Sequence, residues 1–172
     1  GFARYAENVL TKPQITAWRT GRVKAVGSKT APELYAAHLS QREAAQILSN
    51  FFYDVRLKSR IELRAADSMP PRYIAAYAQL VKSVFGSPAA LQNVLRHYAG
   101  ITTLDITTAK LAVCKDGFNA LAYGKPISSE MTWLLMQARS RTPSQEERAL
   151  LDPFMALVMK RKTIRETENY NE

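Results

Sequence analysis

The 172-residue sequence predicts an α+β fold in which few strands are set against a large helical layer. Three observations carry that prediction. Residues 54–67 alternate apolar and charged side chains with the period of a strand. Six or more other segments repeat apolar residues at helical spacing, several behind Ser- or Pro-bearing starts. Only three or so strands can be found in the whole chain, so a charged central strand would leave a sheet edge open. The chain therefore reads as one piece, 1–172, belonging to a larger sheet. Its 47% hydrophobic content suffices for a real core, and it shows no linker, repeat or low-complexity tract.

Taken in order, residues 1–10 place Phe2, Tyr5, Ala6 and Val9 on one helical face, with Pro13 beyond the end. The abrupt, methionine-free start looks like a cut chain. Gln14 to Val26 reads as two short strands turning near Thr20-Gly21, with Trp18 and Val26 free to pack on a neighbouring sheet. Thr30 to Leu39 forms a short helix with Pro32 in its first turn. Ser40-Gln41-Arg42-Glu43 is a capping box that opens a helix carrying Ala44, Ala45, Ile47, Leu48 and Phe51.

That helix delivers the chain into the charged strand. Val55, Leu57, Ile61, Leu63 and Ala65 fall on one face; Arg56, Lys58, Arg60, Glu62 and Arg64 fall on the other. Five successive charges cannot face a core, because a buried unpaired charge is too costly. Four of them are positive and lie about 7 Å apart along that face, so they repel unless something anionic covers them.

Ser68-Met69-Pro70-Pro71 then blocks further β-pairing. The helix over residues 72–85 carries Tyr73, Ile74, Tyr77, Leu80, Val81 and Val84 and ends at Gly86. The next starts at Ser87-Pro88, buries Leu91, Val94, Leu95 and Tyr98 and stops at Gly100. A third amphipathic helix spans 104–115. Phe118 to Pro126 reads as irregular. Ser128-Ser129-Glu130 begins a helix to Arg139. A second capping box, Ser144-Gln145-Glu146-Glu147, opens a helix to Lys162 that Asp152-Pro153 kinks or splits. The tail from Arg165 is polar and frayed.

The single cysteine, Cys114, excludes an internal disulfide and fits a reducing compartment; Leu111-Ala112-Val113-Cys114 places it on a buried helix face. With neither an apolar run of about eighteen residues nor a secretory leader, the expectation is a cytoplasmic protein without a membrane span. The net charge is +9, and residues 1–100 hold 14 Lys and Arg against 6 Asp and Glu. The basic excess travels with the charged strand and calls for an anionic partner: phosphates, carboxylates, a nucleic-acid backbone or an acidic protein surface. A nucleic-acid-binding face would interleave exposed aromatics with its cations, and this strand face holds only charges; no nucleic-acid partner is expected. His38 and His97 have no second ligand at metal spacing and read as satisfied structural residues. There is no P-loop, Gly-x-Gly-x-x-Gly, Gly-x-Ser-x-Gly or Cys/His metal pattern.

The run Asp54-Val55-Arg56-Leu57-Lys58-Ser59-Arg60-Ile61-Glu62-Leu63-Arg64-Ala65-Ala66-Asp67-Ser68 resembles the signature strand of the second-class glutamate–cysteine ligases of plants and bacteria. There, Val-Arg-Leu-Lys leads into Glu-Met-Arg-Gly-Ala-Asp or a close variant. Arg4-Tyr5-Ala6-Glu7-Asn8-Val9-Leu10 with Pro13, and Gly117-Phe118-Asn119-Ala120 with Gly124-Lys125-Pro126, are similar to two flanking segments of that family. Most of residues 4–165 fit the C-terminal half of such an enzyme, with the N-terminal half missing.

The resemblance implies an antiparallel sheet curled into a funnel, as in glutamine synthetase, with helices outside. It implies ATP-dependent activation of the glutamate γ-carboxylate as γ-glutamyl phosphate, which the amine of cysteine attacks, with Mg2+ (or Mn2+) as cofactor: the first step of glutathione synthesis. Glutamate, cysteine and ATP would be its ligands. Glu62 matches the strand-borne metal ligand and Arg64 the arginine on glutamate or the transferring phosphate, making Arg64 both catalytic and substrate-binding. Arg56 and Lys58 match the Val-Arg-Leu-Lys part of the signature and would serve nucleotide phosphates or structure. Arg60 stands where the plant enzymes have an aromatic or other residue, so no role is carried onto it. Ser68-Met69-Pro70 departs from the plant Gly-Gly-Pro-Trp continuation around the glutamate pocket. A related ligase with another amine acceptor, a non-catalytic basic module and a docking fragment are the alternative readings.

Overall fold

The computed structural model describes residues 2–35 and 38–168. The fold is α+β, with three small antiparallel two-stranded sheets and a large helical layer. Where the sequence reads as one piece without a linker, packing divides the chain into two compact units, Gly1–Ser68 and Met69–Glu172. The division falls at Ser68-Met69-Pro70-Pro71, where two successive prolines end the β-pairing and start a helix.

In the first unit, α1 (Phe2–Thr11) buries Val9 and half-buries Tyr5, while Phe2 at its start is exposed. β1 (Thr16–Arg19) and β2 (Arg22–Ala25) form the expected hairpin, with Trp18 opposite Val23. Its two-residue turn places Thr20 at φ 48° and Gly21 at φ 78°, the doubly left-handed geometry that matches strand twist. Among the described residues β1 pairs only with β2, and the Arg42 guanidinium lies 3.6 Å over the Trp18 ring. The helix expected over Thr30–Leu39 is shorter: α2 spans Ala31–Leu34, with Tyr35 extended after it, and residues 36–37 lie outside the described residues. α3 (Gln41–Ser49) opens on the predicted capping box, Ser40 accepting from the Glu43 amide and Glu43 accepting from the Ser40 amide. Val9, Ala17, Ala31, Leu34, Ile47 and Phe51 make one apolar cluster. Against it lies a buried polar set in which Asn50 binds Gln14 and the Thr16 backbone, each at normal distance, so those groups leave water without losing partners.

In the second unit, α4 (Pro71–Phe85) packs against α5 (Pro88–His97), α7 (Ile127–Ser140) and α9 (Asp152–Lys160). Its buried face is Tyr73, Ala76, Gln79, Ser83 and Val84; of the predicted stripe Tyr73 and Val84 are buried, Tyr77, Leu80 and Val81 half-buried, and Ile74 alone is exposed. The Gln79 amide donates to both Ser83 and Thr142, satisfying three buried polar side chains together. α5 buries only Ala90, and the predicted core residue Leu95 is exposed.

α6 (Thr103–Asp116) is the clearest departure in this unit. It buries only Ala109 and leaves Leu104 and Leu111 exposed, and Cys114 is exposed as well. The reading of Cys114 as core is corrected: apolar residues occur all round this helix, so their presence beside Cys114 marks no buried side. Residues 118–126 are also more regular than expected. After a 3₁₀ turn at Gly117–Asn119, β5 (Leu121–Ala122) pairs with β6 (Lys125–Pro126) across the left-handed pair Tyr123-Gly124.

The helix expected from Ser144 to Lys162 is split into α8 (Gln145–Ala149) and α9 at Leu150-Leu151, just before Pro153. The Ser144 hydroxyl accepts the Glu147 amide, but the Glu147 carboxylate pairs with Lys82 at 2.6 Å instead of closing the box. A short α10 (Ile164–Thr167) stands where a frayed tail was expected, opened by a Thr163–Glu166 capping box; residues 169–172 lie outside the described residues. Leu135, Ala138, Leu151 and Val158 form this unit's core.

Candidate functional site

The charged stretch is a hairpin, not one continuous strand. β3 (Val55–Leu57) turns through Lys58-Ser59-Arg60 into β4 (Ile61–Leu63), with Val55 opposite Leu63, Arg56 opposite Glu62 and Leu57 opposite Ile61. The period-two partition survives the turn, because a three-residue loop keeps paired residues on a common face. Further backbone bonds close both ends: Lys58 N–H donates to Arg60 O at 3.0 Å, and Arg64 N–H to Asp54 O at 2.6 Å. Tyr5 ties the hairpin to α1 by accepting the Leu57 N–H at 3.2 Å. Tyr5 meets Tyr53 edge-on and Phe51 stacks on Tyr53, joining the start of the hairpin to the apolar cluster.

Folding the strand changes the electrostatics of its charged face. The Arg56 fork is bidentate on Glu62, Nε to Oε2 at 2.8 Å and Nη2 to Oε1 at 3.0 Å. Arg64 Nε lies 3.7 Å from Glu62 Oε1 on the other side. Glu62 thus sits between two guanidinium groups, and the Arg56 hydrogen bond holds its carboxyl below the ordinary range, with the charges of Arg56, Arg64 and Lys58 acting in the same direction. The Arg56 side chain is only 12% exposed and that of Glu62 38%.

The expected core face is the more open one: Val55 is 50% and Ile61 66% exposed. Arg64 Nη1 and the Tyr53 hydroxyl are buried without a hydrogen-bond partner among the described residues, and the Arg64 guanidinium lies 5.2 Å over the exposed Phe52 ring. A buried donor without a partner is costly and uncommon.

Of the sequence-predicted residues, the fold brings Arg56, Glu62 and Arg64 together. Lys58 and Arg60 are exposed in the hairpin loop, and of the two the Lys58 charge is felt at Glu62. A carboxylate has about four lone-pair directions. Arg56 takes two of those on Glu62, which leaves room for one contact to a hard cation and suits a single-carboxylate contribution to magnesium. Among the described residues no three of His, Cys, Asp and Glu come together as a metal-binding group.

A second charged cluster escaped the sequence reading. Glu130, in the first turn of α7, is buried and binds His97 Nε2 at 2.9 Å and Lys125 Nζ at 3.3 Å. Burial acts to raise the Glu130 pKa, but the His97 and Lys125 hydrogen bonds outweigh it and hold the carboxyl low. His97 stacks on Trp133 with centroids 3.5 Å apart, and the Tyr98 hydroxyl is pushed up by burial and then by the Glu130 charge. His97 is therefore a satisfied residue, as its sequence context suggested. The only sequence signal for its partner is the i, i+3 pair Glu130 and Trp133 on one helix face. Among the described residues no helix is long and apolar enough to cross a membrane. No protein-family model matches this chain, and no curated protein does.

Proposed function

We propose that this chain is the C-terminal part of an ATP-dependent carboxylate–amine ligase of the glutamate–cysteine ligase kind, acting in the cytoplasm. The observation that carries the reading is Glu62 held between Arg56 and Arg64 on one face of a hairpin, at the positions where the sequence resembles that family's signature. Phosphoryl transfer from ATP to a carboxylate needs fixed positive charge around the transferring group more than it needs covalent help from protein.

Arg64 fits that task. Its planar fork can hold a carboxylate or phosphoryl group through two hydrogen bonds, and its Nη1 has no hydrogen-bond partner among the described residues. Arg56 holds Glu62 ionised and oriented, and Lys58 adds long-range attraction for phosphates from the hairpin tip. Glu62 would contribute one oxygen to a magnesium or manganese ion, which when bound neutralises phosphate charge. The remaining metal ligands would come from phosphate, water and the rest of the enzyme. The exposed apolar pair Val55 and Ile61 is the face on which the N-terminal half, with further strands of the funnel, would lie.

The test is ADP release by the complete gene product containing this chain, with ATP, magnesium, glutamate and cysteine and with each omitted in turn. Release that requires glutamate and is coupled to a γ-glutamyl peptide supports the reading, while the 172-residue chain alone is expected to be inert. Absence of glutamate-dependent release from the complete product removes the assignment. Replacing cysteine by other amines decides the acceptor.

A further inference from the structure

A cavity of about 350 Å³ opens into the second unit. Every lining residue belongs to Met69–Glu172. Leu80, Met131, Leu135, Phe154 and Leu157 form its walls, and Leu135 and Leu157 are themselves 3% and 6% exposed. The cavity therefore reaches the packed core instead of skirting the surface. It lies within the range of small-molecule sites.

The chemistry of the lining narrows the occupant. The inner walls offer aliphatic and aromatic carbon, so a buried polar group on the ligand would lose its water without replacement. Lys162 also lines the cavity and is exposed, which marks the open end and places a cation there; a lysine covers apolar surface with its stem while its ammonium stays in water. Arg161 donates to Phe118 O and Asn119 Oδ1, and Glu166, which feels the charge of Lys162, accepts from Thr163. At the roughly 30 Å³ that one small group fills in a liquid, the cavity holds on the order of ten methylene-sized groups.

We propose that this cavity binds a medium-chain aliphatic monocarboxylate from solution, its chain among Leu80, Met131, Leu135, Phe154 and Leu157 and its carboxylate at Lys162. The experiment is calorimetric titration of the 172-residue chain with decanoate and with decanol, both below self-association, using wild type, Met131→Trp, Leu80→Phe and Lys162→Gln.

The expected result is one saturable decanoate site per chain, lost in whichever of the two filling variants stays folded by circular dichroism. Lys162→Gln should weaken decanoate about threefold, as for an exposed ion pair, and leave decanol unchanged. No saturable binding, binding that survives filling, or equal decanoate affinity in Lys162→Gln each overturns the proposal. Binding by the 172-residue chain that disappears in the complete gene product assigns the cavity to another segment of the protein and overturns it too.

Discussion

Arg56 and Glu62 face each other across the β3–β4 hairpin, joined by two hydrogen bonds of 2.8 and 3.0 Å. They are six positions apart in sequence, and only a turn between them lets one fork grip one carboxylate. The pair gives the hairpin a charged face that is internally balanced on one side and open on the other, where Arg64 approaches Glu62 at 3.7 Å.

The first prediction follows from the lowered Glu62 pKa, caused first by the Arg56 hydrogen bond. A carboxyl whose folded pKa is depressed contributes stability that is present above its unfolded value, near 4.5, and is lost as pH falls through the folded value. Arg56→Met should flatten the acid side of the stability curve and move the Glu62 titration upward. Urea midpoints from pH 7 to pH 3, with carboxyl chemical shifts of Glu62, measure both. An unchanged Glu62 titration in the variant would remove Arg56 as its main partner.

Glu130 carries the second prediction. It is buried, and His97 and Lys125 hold its carboxyl low against the opposing effect of burial. Glu130→Gln should cost about 2 kcal/mol at pH 7, the scale of a hydrogen bond to a charged group. The sign of the pH effect is the same as for Glu62: the contribution stands above the unfolded carboxyl value and disappears on acidification. Because His97 stacks on Trp133, the loss should also appear in Trp133 fluorescence, in a background where Trp18 is replaced by Phe. Unaltered stability and emission would contradict the geometry of this cluster.

Cys114 supplies a direct check on α6. As an exposed thiol it should react with a disulfide reagent in the folded chain within a few-fold of the rate in urea, one equivalent per chain, since thiolate access sets the rate. Protection by several orders of magnitude would restore the buried reading and displace the helix as described.

Much of this fold could be read from sequence where local chemistry decides. The Ser40–Glu43 capping box, the Thr20-Gly21 turn and the proline starts of α4 and α5 each depend on a few neighbouring residues. The buried faces were less legible. α6 has apolar residues on all sides, so its pattern does not say which one packs, and only Ala109 does. The charged stretch misled for a related reason. Period-two alternation is blind to a tight turn that preserves it, and Lys58-Ser59-Arg60 carries no Gly or Pro to announce one. Within the candidate site, the common face of Arg56, Glu62 and Arg64 was predicted, while the bidentate pairing depends on the turn. The Glu130 cluster joins residues 33 positions apart, and its one local trace is the i, i+3 spacing of Glu130 and Trp133.

The central claim is that the Arg56–Glu62–Arg64 face serves a metal–nucleotide ligase. Its most direct measurement is a magnesium titration of glutamate-dependent ADP release by the complete gene product, wild type against Glu62→Gln, with thermal unfolding of the same proteins. Glu62→Gln keeps size and hydrogen bonding while removing the charge that a hard cation needs. The account predicts a collapse of turnover and a weakened magnesium dependence in a protein that remains folded. A variant that keeps the wild-type magnesium dependence and turnover, and only melts at lower temperature, would make Glu62 a counter-ion for its arginines and contradict the claim.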